Sequence, residues 1–188
     1  MRIEITRLIN WSEALNSARF TQRKKAISGE PSTNWKKKLI KAEHSPLRCV
    51  MYNIDMYDIP RFASDQYVRH KHAEPFVSTG RSDVLEENLP RDKQKMTDLY
   101  NTRLFLNAEE IINISRKRLC NKAETPTRMI WSAVLKELKK IDPELVDACV
   151  PNCIYRGFCP EMKSCGFANS EIFNKKLEEY RNESMCNK

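Results

Sequence analysis

Between Asp65 and Arg81 the sequence reads DQYVRHKHAEPFVSTGR, which sets Arg69, His70, Lys71 and His72 side by side with Thr79, Gly80 and Arg81 shortly after. Two of the chain's three histidines fall in this stretch. Crowded cations repel one another unless something anionic sits among them, so the segment points to an anionic ligand. A phosphate monoester suits it. Arginine offers a planar fork that pairs with two oxygens, and glycine lets the backbone approach a phosphate closely. Taken singly, each of these residues also reads as an ordinary surface or capped group, and the cations as a solvated helix face.

A second segment with chemistry in it is ACVPNCIYRGFCPEMKSCGF, where Cys149, Cys153, Cys159 and Cys165 are separated by three, five and five residues. Four thiolates at such spacing can enclose Zn²⁺ tetrahedrally. The common C-x2-C knuckles are absent and no histidine lies nearby, so two other readings stay open: reduced thiols packing a loop, and a redox disulfide. Cys49, Cys120 and Cys186 read as packing or surface residues. Two basic runs, NWKKKLIKAE and SRKRLCNK, complete the inventory. On a helix Lys37, Lys38 and Lys41 share a face that could meet phosphates. No helix-turn-helix, zinc-finger or RNA-recognition signature accompanies them, and the aromatic residues, 9% of the chain, are not interleaved with the charges. Nucleic acid is therefore disfavoured as a partner.

The elements that must position these residues can be read from periodicity. The opening MRIEITRLI alternates like a short strand, and WSEALNSARF has helical spacing with Ser12 as its cap. A helix is expected from Ser32 or Thr33, with Trp35, Leu39 and Ile40 facing inward and the lysines outward. HSPLRCVMYNIDM reads as a loop and then a strand. Pro60 opens a helix expected to run through RFASDQYVRHK. Residues 82–100 are polar and aperiodic, a surface excursion. RLFLNAEEIINISRKRL reads as one amphipathic helix with Leu104, Ile111, Ile112, Ile114 and Leu119 on its core face. TPTRMIWSAVLKELKKI, opened by Pro126, and DPELVDACV are expected to be helical, as is the tail NSEIFNKKLEEYRNES.

At 188 residues with a formal charge of +8, the chain is sized for one domain with a core of its own and biased toward anionic partners. No apolar run reaches the length of a membrane span, and MRIEITRLINW lacks the h-region of a secretion signal. Seven cysteines without such a signal suggest reduced thiols and a cytoplasmic protein. No membrane partner is expected.

The order of motifs from His44 in AEHSPLR, through PRFASDQYVRHK and VSTGR, to NAEEIINISRKRLCNKAETPTR resembles the flavin-dependent thymidylate synthases, the complementing type. That family carries a histidine in an H-x-P-like loop, an arginine-histidine-arginine motif with a hydroxyl residue after seven intervening positions, and a late helix ending in arginine. The resemblance covers about residues 44 to 128. It implies that His44, Arg69, His70, Lys71 and Asn107 hold FAD and that Gln66 lies at the seam between flavin and pyrimidine. It further implies that Thr79, Gly80, Arg81 and Arg118 hold deoxyuridylate, with Arg69 shared between the two ligands. Gln66, Thr79 and Arg81 would serve the reaction itself. Arg81 and Arg69 near the uracil carbonyls would stabilise negative charge as hydride reaches C6. No cysteine nucleophile is then needed, in keeping with the lack of any cysteine between Cys49 and Cys120.

The sequence departs from the family's pattern at several points. Lys71 stands for the motif's last arginine and Thr79 for its serine. Phe76 and Val77 stand where a glutamate is usual. Arg48 occupies a common glutamate position, Glu109 an arginine position, and Asp65 a frequent arginine position. The resemblance implies a single α/β (α+β) domain over residues 1–188, a small mixed or antiparallel sheet packed with helices, containing the cysteine-rich segment 149–166 and the C-terminal helix. It implies a homotetramer with active sites between protomers, making dTMP from dUMP with methylene-tetrahydrofolate, NADPH and FAD. Two alternatives stay open: a paralogue acting on another pyrimidine nucleotide or installing another one-carbon group, and a non-catalytic nucleotide- or nucleic-acid-binding protein.

Overall fold

Alternation with a period of two builds the sheet. Along Met51–Pro60, Tyr52, Ile54 and Met56 are fully buried while their neighbours are only partly covered, the signature of a strand with one face against a core. The computed structural model describes residues 1–81, 84 and 90–185. Four strands, β1 (Arg2–Ile9), β2 (Met51–Pro60), β3 (Ala73–Val77) and β4 (Leu99–Asn107), lie in the order β1-β2-β4-β3. Every neighbouring pair is antiparallel, with Ile5 opposite Ile54, Ile54 opposite Leu104, and Leu104 opposite Pro75.

One face of this sheet is covered by helices. These are α1 (Trp11–Thr21), α2 (Thr33–Lys41), α3 (Arg61–Tyr67), α4 (Ala108–Arg118), α5 (Thr125–Leu138), α6 (Pro143–Asp147), α7 (Asn152–Arg156) and α8 (Glu171–Met185), with 3-10 turns at Ser45–Cys49, Arg91–Lys93 and Phe167–Asn169. Trp11, Ile111, Ile114, Trp131, Val134 and Leu138 from the helices meet Tyr52, Ile54, Met56, Leu104 and Leu106 from β2 and β4 in one core. Each such side chain stabilises the fold by about 1.5–3 kcal/mol. The other sheet face carries a cross-strand pair, Arg103 with Asp55 at 2.6 and 2.7 Å, beside the exposed Phe76 and Phe105. The chain is mixed α and β with an antiparallel sheet.

Four sequence expectations need correction. The helix expected over residues 103–119 begins only at Ala108, because Leu104 and Leu106 alternate with exposed Arg103 and Phe105 as part of β4. Asn107 ends that strand and caps α4, its Oδ1 accepting from Glu110 N at 2.9 Å. The helix after Pro60 stops at Tyr67, and Arg69 to His72 form the turn that leads into β3. Strand β3 was concealed by Pro75, which is tolerated here because β3 is an edge strand. Ser12 does not cap α1. Asn10 holds the cap position, with its own side chain taken by Arg7 Nε at 3.2 Å. Most of the expected excursion at 82–100 lies outside the described residues, and its end, Leu99 and Tyr100, belongs to β4.

The sheet and helices are joined through one buried carboxylate. Asp142, fully buried, accepts from Arg7 Nη1 at 3.0 Å on both oxygens, from Trp11 Nε1 at 2.6 Å and from the Tyr52 hydroxyl at 2.8 Å. Burial foremost, then the nearby carboxylate, pushes the Tyr52 hydroxyl far above an ordinary tyrosine pKa, so it remains a donor. Breaking a buried pair from one side strands the other charge. Asp142→Ala is expected to destabilise the protein by about 3–5 kcal/mol in urea unfolding, and Trp11→Phe by only about 1 kcal/mol for its lost hydrogen bond. A loss below about 1 kcal/mol for Asp142→Ala would show that the cluster does not hold the layers together.

Candidate functional site

Helix α4 carries the polar chain around which the candidate site is built. Glu110 in its first turn and Arg118 in its last are eight residues apart and lie on one face, and His70 spans the gap between them. Its Nδ1 stands 3.4 Å from Glu110 Oε1, and its Nε2 accepts from Arg118 Nε at 3.1 Å. Because the guanidinium can only donate, Nε2 carries no proton and Nδ1 holds it. The imidazole is therefore neutral, with its tautomer fixed by its partners. Arg118 also donates from Nη1 to Gln66 Oε1 at 3.0 Å and from Nη2 to the Gln66 carbonyl. Gln66 from α3, His70 from the turn before β3, and Arg118 from α4 thus converge.

Glu110 anchors this chain, a role that none of the motifs assigned to it. Burial opposes its ionisation, yet hydrogen bonds from His70 and from Asn113, whose Nδ2 lies 3.3 Å from Oε2, outweigh that and hold its carboxyl below the usual range. A signal was present: Asn107 followed three residues later by Glu110 matches the capping-box spacing. It marks the start of α4, but the carboxylate turns to His70 instead of back to the cap.

Arg118 is half-buried, and burial first, then the like charge of Arg69, lowers its pKa from an arginine's usual value, against the opposing influence of Tyr67. It stays a cation nonetheless. Two guanidinium groups near enough to repel one another suit an anion between them. Arg69, Lys71 and His44 are exposed. The side-chain oxygen of Asn107 is spent on capping α4, which leaves its amide nitrogen for a ligand.

The VSTGR segment makes contacts of its own with β4 and with Gln94. Ser78 is tied to Asn101 by two hydrogen bonds, 2.8 and 3.0 Å. Thr79 Oγ1 accepts from Arg81 N at 3.1 Å, a local turn that pre-shapes the backbone. The Gly80 carbonyl accepts from Gln94 Nε2, and a Cβ at Gly80 would collide with Gln94 and the Tyr100 hydroxyl. A larger residue there would require the ends of the Gln94 and Tyr100 side chains to shift. Arg81 is exposed. In the single chain, then, Gln66, His70 and Arg118 come together directly, with Asn107 beside Glu110 and Lys71 next to His70 in the same turn, while His44 and Arg81 are exposed and Thr79 and Gly80 are engaged locally.

Two departures from the family pattern are explained by each other. Arg48 Nε meets Glu109 Oε2 at 2.7 Å and its Nη2 meets Oε1 at 3.4 Å. The glutamate-to-arginine change at one position and the arginine-to-glutamate change at the other keep opposite charges facing, in reversed order. The run SRKR is not a cationic face either. Arg116 turns inward, with Nη1 3.4 Å from Asn113 Oδ1, Nη2 on Glu43 and its guanidinium 3.6 Å above the Tyr155 ring.

The zinc reading, one of three that the cysteine spacing left open, gains no support. Cys149, Cys153, Cys159 and Cys165 line one cavity of about 690 Å³, but among the described residues no three groups of metal-ligand type are placed to hold an ion together. Cys149 is buried and donates to the Leu145 carbonyl at 3.3 Å, and burial pushes its thiol up to about 12, so it is a packing residue. Among the described residues no helix is long and apolar enough to cross a membrane.

The depressed Glu110 carboxyl carries a pH signature. Its ionised form stabilises the fold above the ordinary value of 4.5, and that contribution is lost as the pH falls through the lower folded-state value. Glu110→Gln keeps an acceptor for His70 but removes the charge. The stability gap between the wild type and Glu110→Gln is expected to be steady above pH 4.5 and to close below it, read from urea midpoints. A gap unchanged down to pH 3 or so would show that Glu110 is not held ionised by its partners.

No family model matches the chain. It is 38% identical over 64 residues to a flavin-dependent thymidylate synthase of Clostridium tetani, covering 34% of this chain and 25% of that protein. It is 33% identical over 75 residues to the protein of the same name from Saccharolobus solfataricus, covering 38% of this chain and 29% of that one. The chain thus spans, in these matches, between a quarter and a third of the length of the curated relatives. Its fold superposes on the flavin-dependent thymidylate synthase ThyX of Helicobacter pylori complexed with FAD and dUMP, with a TM-score of 0.63 at 15% identity, covering 80% of this chain and 100% of that one. In a short segment of sequence, and in fold over most of its length, the chain is similar to flavin-dependent thymidylate synthases.

Proposed function

We propose that the protein is an FAD-dependent enzyme that converts dUMP to dTMP, with methylene-tetrahydrofolate as one-carbon donor and NADPH as reductant. The observation that carries this reading is the convergence of Gln66, His70 and Arg118 from three elements onto one contact. The resemblance assigns those same positions to the flavin and the nucleotide. The donor set suits the ligands: three of Arg118's N–H groups are engaged by Gln66 and His70, and a guanidinium has five. The remaining two face the demands of a phosphate with the side chain already held in place, so little conformational entropy is lost on binding.

When bound, FAD supplies the hydride chemistry. The chain's own residues hold and orient. Arg69, Lys71 and His44 supply charge to the flavin's diphosphate, and the Asn107 amide nitrogen donates beside them. His70, with both ring nitrogens engaged, acts by fixing Arg118 and, through it, Gln66. Thr79, Gly80 and Arg81 close over the pyrimidine nucleotide. This reading includes, as the resemblance implies, a site shared between protomers of a homotetramer, and a protein working in the cytoplasm. A second reading, a paralogue with a redirected or lost flavin function, is favoured by the Arg48–Glu109 pair, which commits an expected flavin-contacting position to an ion pair.

Purified protein is expected to take up FAD, with its yellow absorption bands, and to oxidise NADPH faster when dUMP is present. Flavin turnover without dTMP would support the redirected enzyme, and failure to bind FAD the silent paralogue. Arg118→Ala is expected to weaken dUMP binding by about 10–100-fold, from loss of charge-assisted hydrogen bonds, while FAD still binds. Arg118→Lys should fall between, since it keeps charge and loses the fork. Equal loss of both ligands in calorimetric titrations would overturn the division of roles.

A further inference from the structure

The cavity lined by thiols lies outside the Arg118 chain and does nothing in the proposed reaction. Its wall includes Cys120, Cys153 and Cys159, together with apolar Met129, Ile154 and Phe167. Three local features gather these thiols. Cys120 follows directly after Leu119, which caps the C-terminus of α4. Helix α7, which packs on α4, carries Cys153. Gly157 then ends α7 in the left-handed region, φ +80°, its N–H donating to the Cys153 carbonyl at 2.8 Å. That turn lets the chain double back, so that Cys159 reaches the same cavity. All three thiols are partly accessible.

We propose that Cys120, Cys153 and Cys159 form a thiol–disulfide exchange site, in which Cys153 is the central thiol and bonds to one of its two neighbours on reaction with a low-molecular-weight disulfide. Pairwise chemistry is what the arrangement permits, since no three of the described groups can share a metal ion. Burial foremost raises the Cys153 pKa, and the thiolate charges of Cys120 and Cys159 raise it further, which places both within electrostatic reach. Exchange is therefore slow at neutral pH and faster as the pH rises. In the first step a cysteine thiolate attacks the small disulfide, forming a mixed disulfide and releasing one small thiol. In the second, a neighbouring cysteine displaces the other small thiol and closes the protein disulfide. Two cysteine thiols lose two electrons and two protons, and one small disulfide becomes two thiols. Cys149 takes no part because its buried thiol is engaged by the Leu145 carbonyl. The cavity has room for the entering small molecule: about 690 Å³ lies within the range of ordinary ligand pockets.

The whole protein, fully reduced, is incubated with oxidised glutathione at pH 8, its remaining thiols are alkylated, and its peptides are mapped by mass spectrometry without reduction. The expected product is an intramolecular disulfide containing Cys153 and either Cys120 or Cys159, two hydrogens lighter than the reduced pair and restored by dithiothreitol. Cys153→Ser is expected to abolish it, whereas Cys49→Ser, outside the cavity, leaves it unchanged. Complete alkylation of all three, a stable glutathione adduct without closure, or a disulfide that omits Cys153 would each overturn the proposal. The wild-type map decides the matter even if Cys153→Ser does not fold.

Discussion

A single carboxylate, Asp142, fixes how the helices sit on the sheet. Its oxygens receive donors from β1 (Arg7), α1 (Trp11) and β2 (Tyr52), while its backbone leads into α6. Apolar burial supplies most of the free energy of folding but is indifferent to direction. Hydrogen bonds to a buried charge are not, since any sliding of α1 along β1 and β2 would leave a desolvated carboxylate unsatisfied. The helical layer therefore has one register on the sheet. That matters for α4, which enters the same layer directly from β4 and whose core face, Ile111 and Ile114, fixes where its polar face points.

The polar face of α4 then repeats the device in miniature. Glu110, His70, Arg118 and Gln66 form a chain in which each member sets its neighbour's state: the carboxylate holds the Nδ1 proton, the bare Nε2 orients the guanidinium, and the guanidinium grips both the side chain and the carbonyl of Gln66. Half-burial of the chain strengthens its electrostatics, and orientation is in place before any ligand arrives.

The legible parts of the sequence were those with one dominant period. The alternation of MRIEITRLI, the Ser32 cap whose Oγ accepts from Trp35 N at 3.3 Å, and Pro126 at the start of α5 all spoke clearly. RLFLNAEEII did not, because Leu104 to Ile111 is two helical turns as well as a strand and its following helix. Only the Asn107–Glu110 spacing separates the two. AEPFV was hidden by a proline that an edge position excuses. In the site, Arg118, His70 and Gln66 were visible as chemistry-bearing types, but Glu110 was not, since its role comes from His70, in a turn forty positions earlier in the chain. Side-chain partners set by tertiary contact have no local signature.

The net positive charge of the chain is narrower in meaning than its size suggests. Lys36 pairs with Glu30, Lys37 with Asp147 and Arg116 with Glu43, so both basic runs are interrupted by carboxylates. A duplex or long single strand requires a continuous cationic track, and these pairs interrupt one. What stands out instead is local: Arg69 presses its like charge on Arg118, with Lys71 exposed two residues on. Repulsion concentrated at one point favours a compact anion with several oxygens, which can satisfy both guanidinium groups at once. In the function proposed here, that anion is a mononucleotide's phosphate.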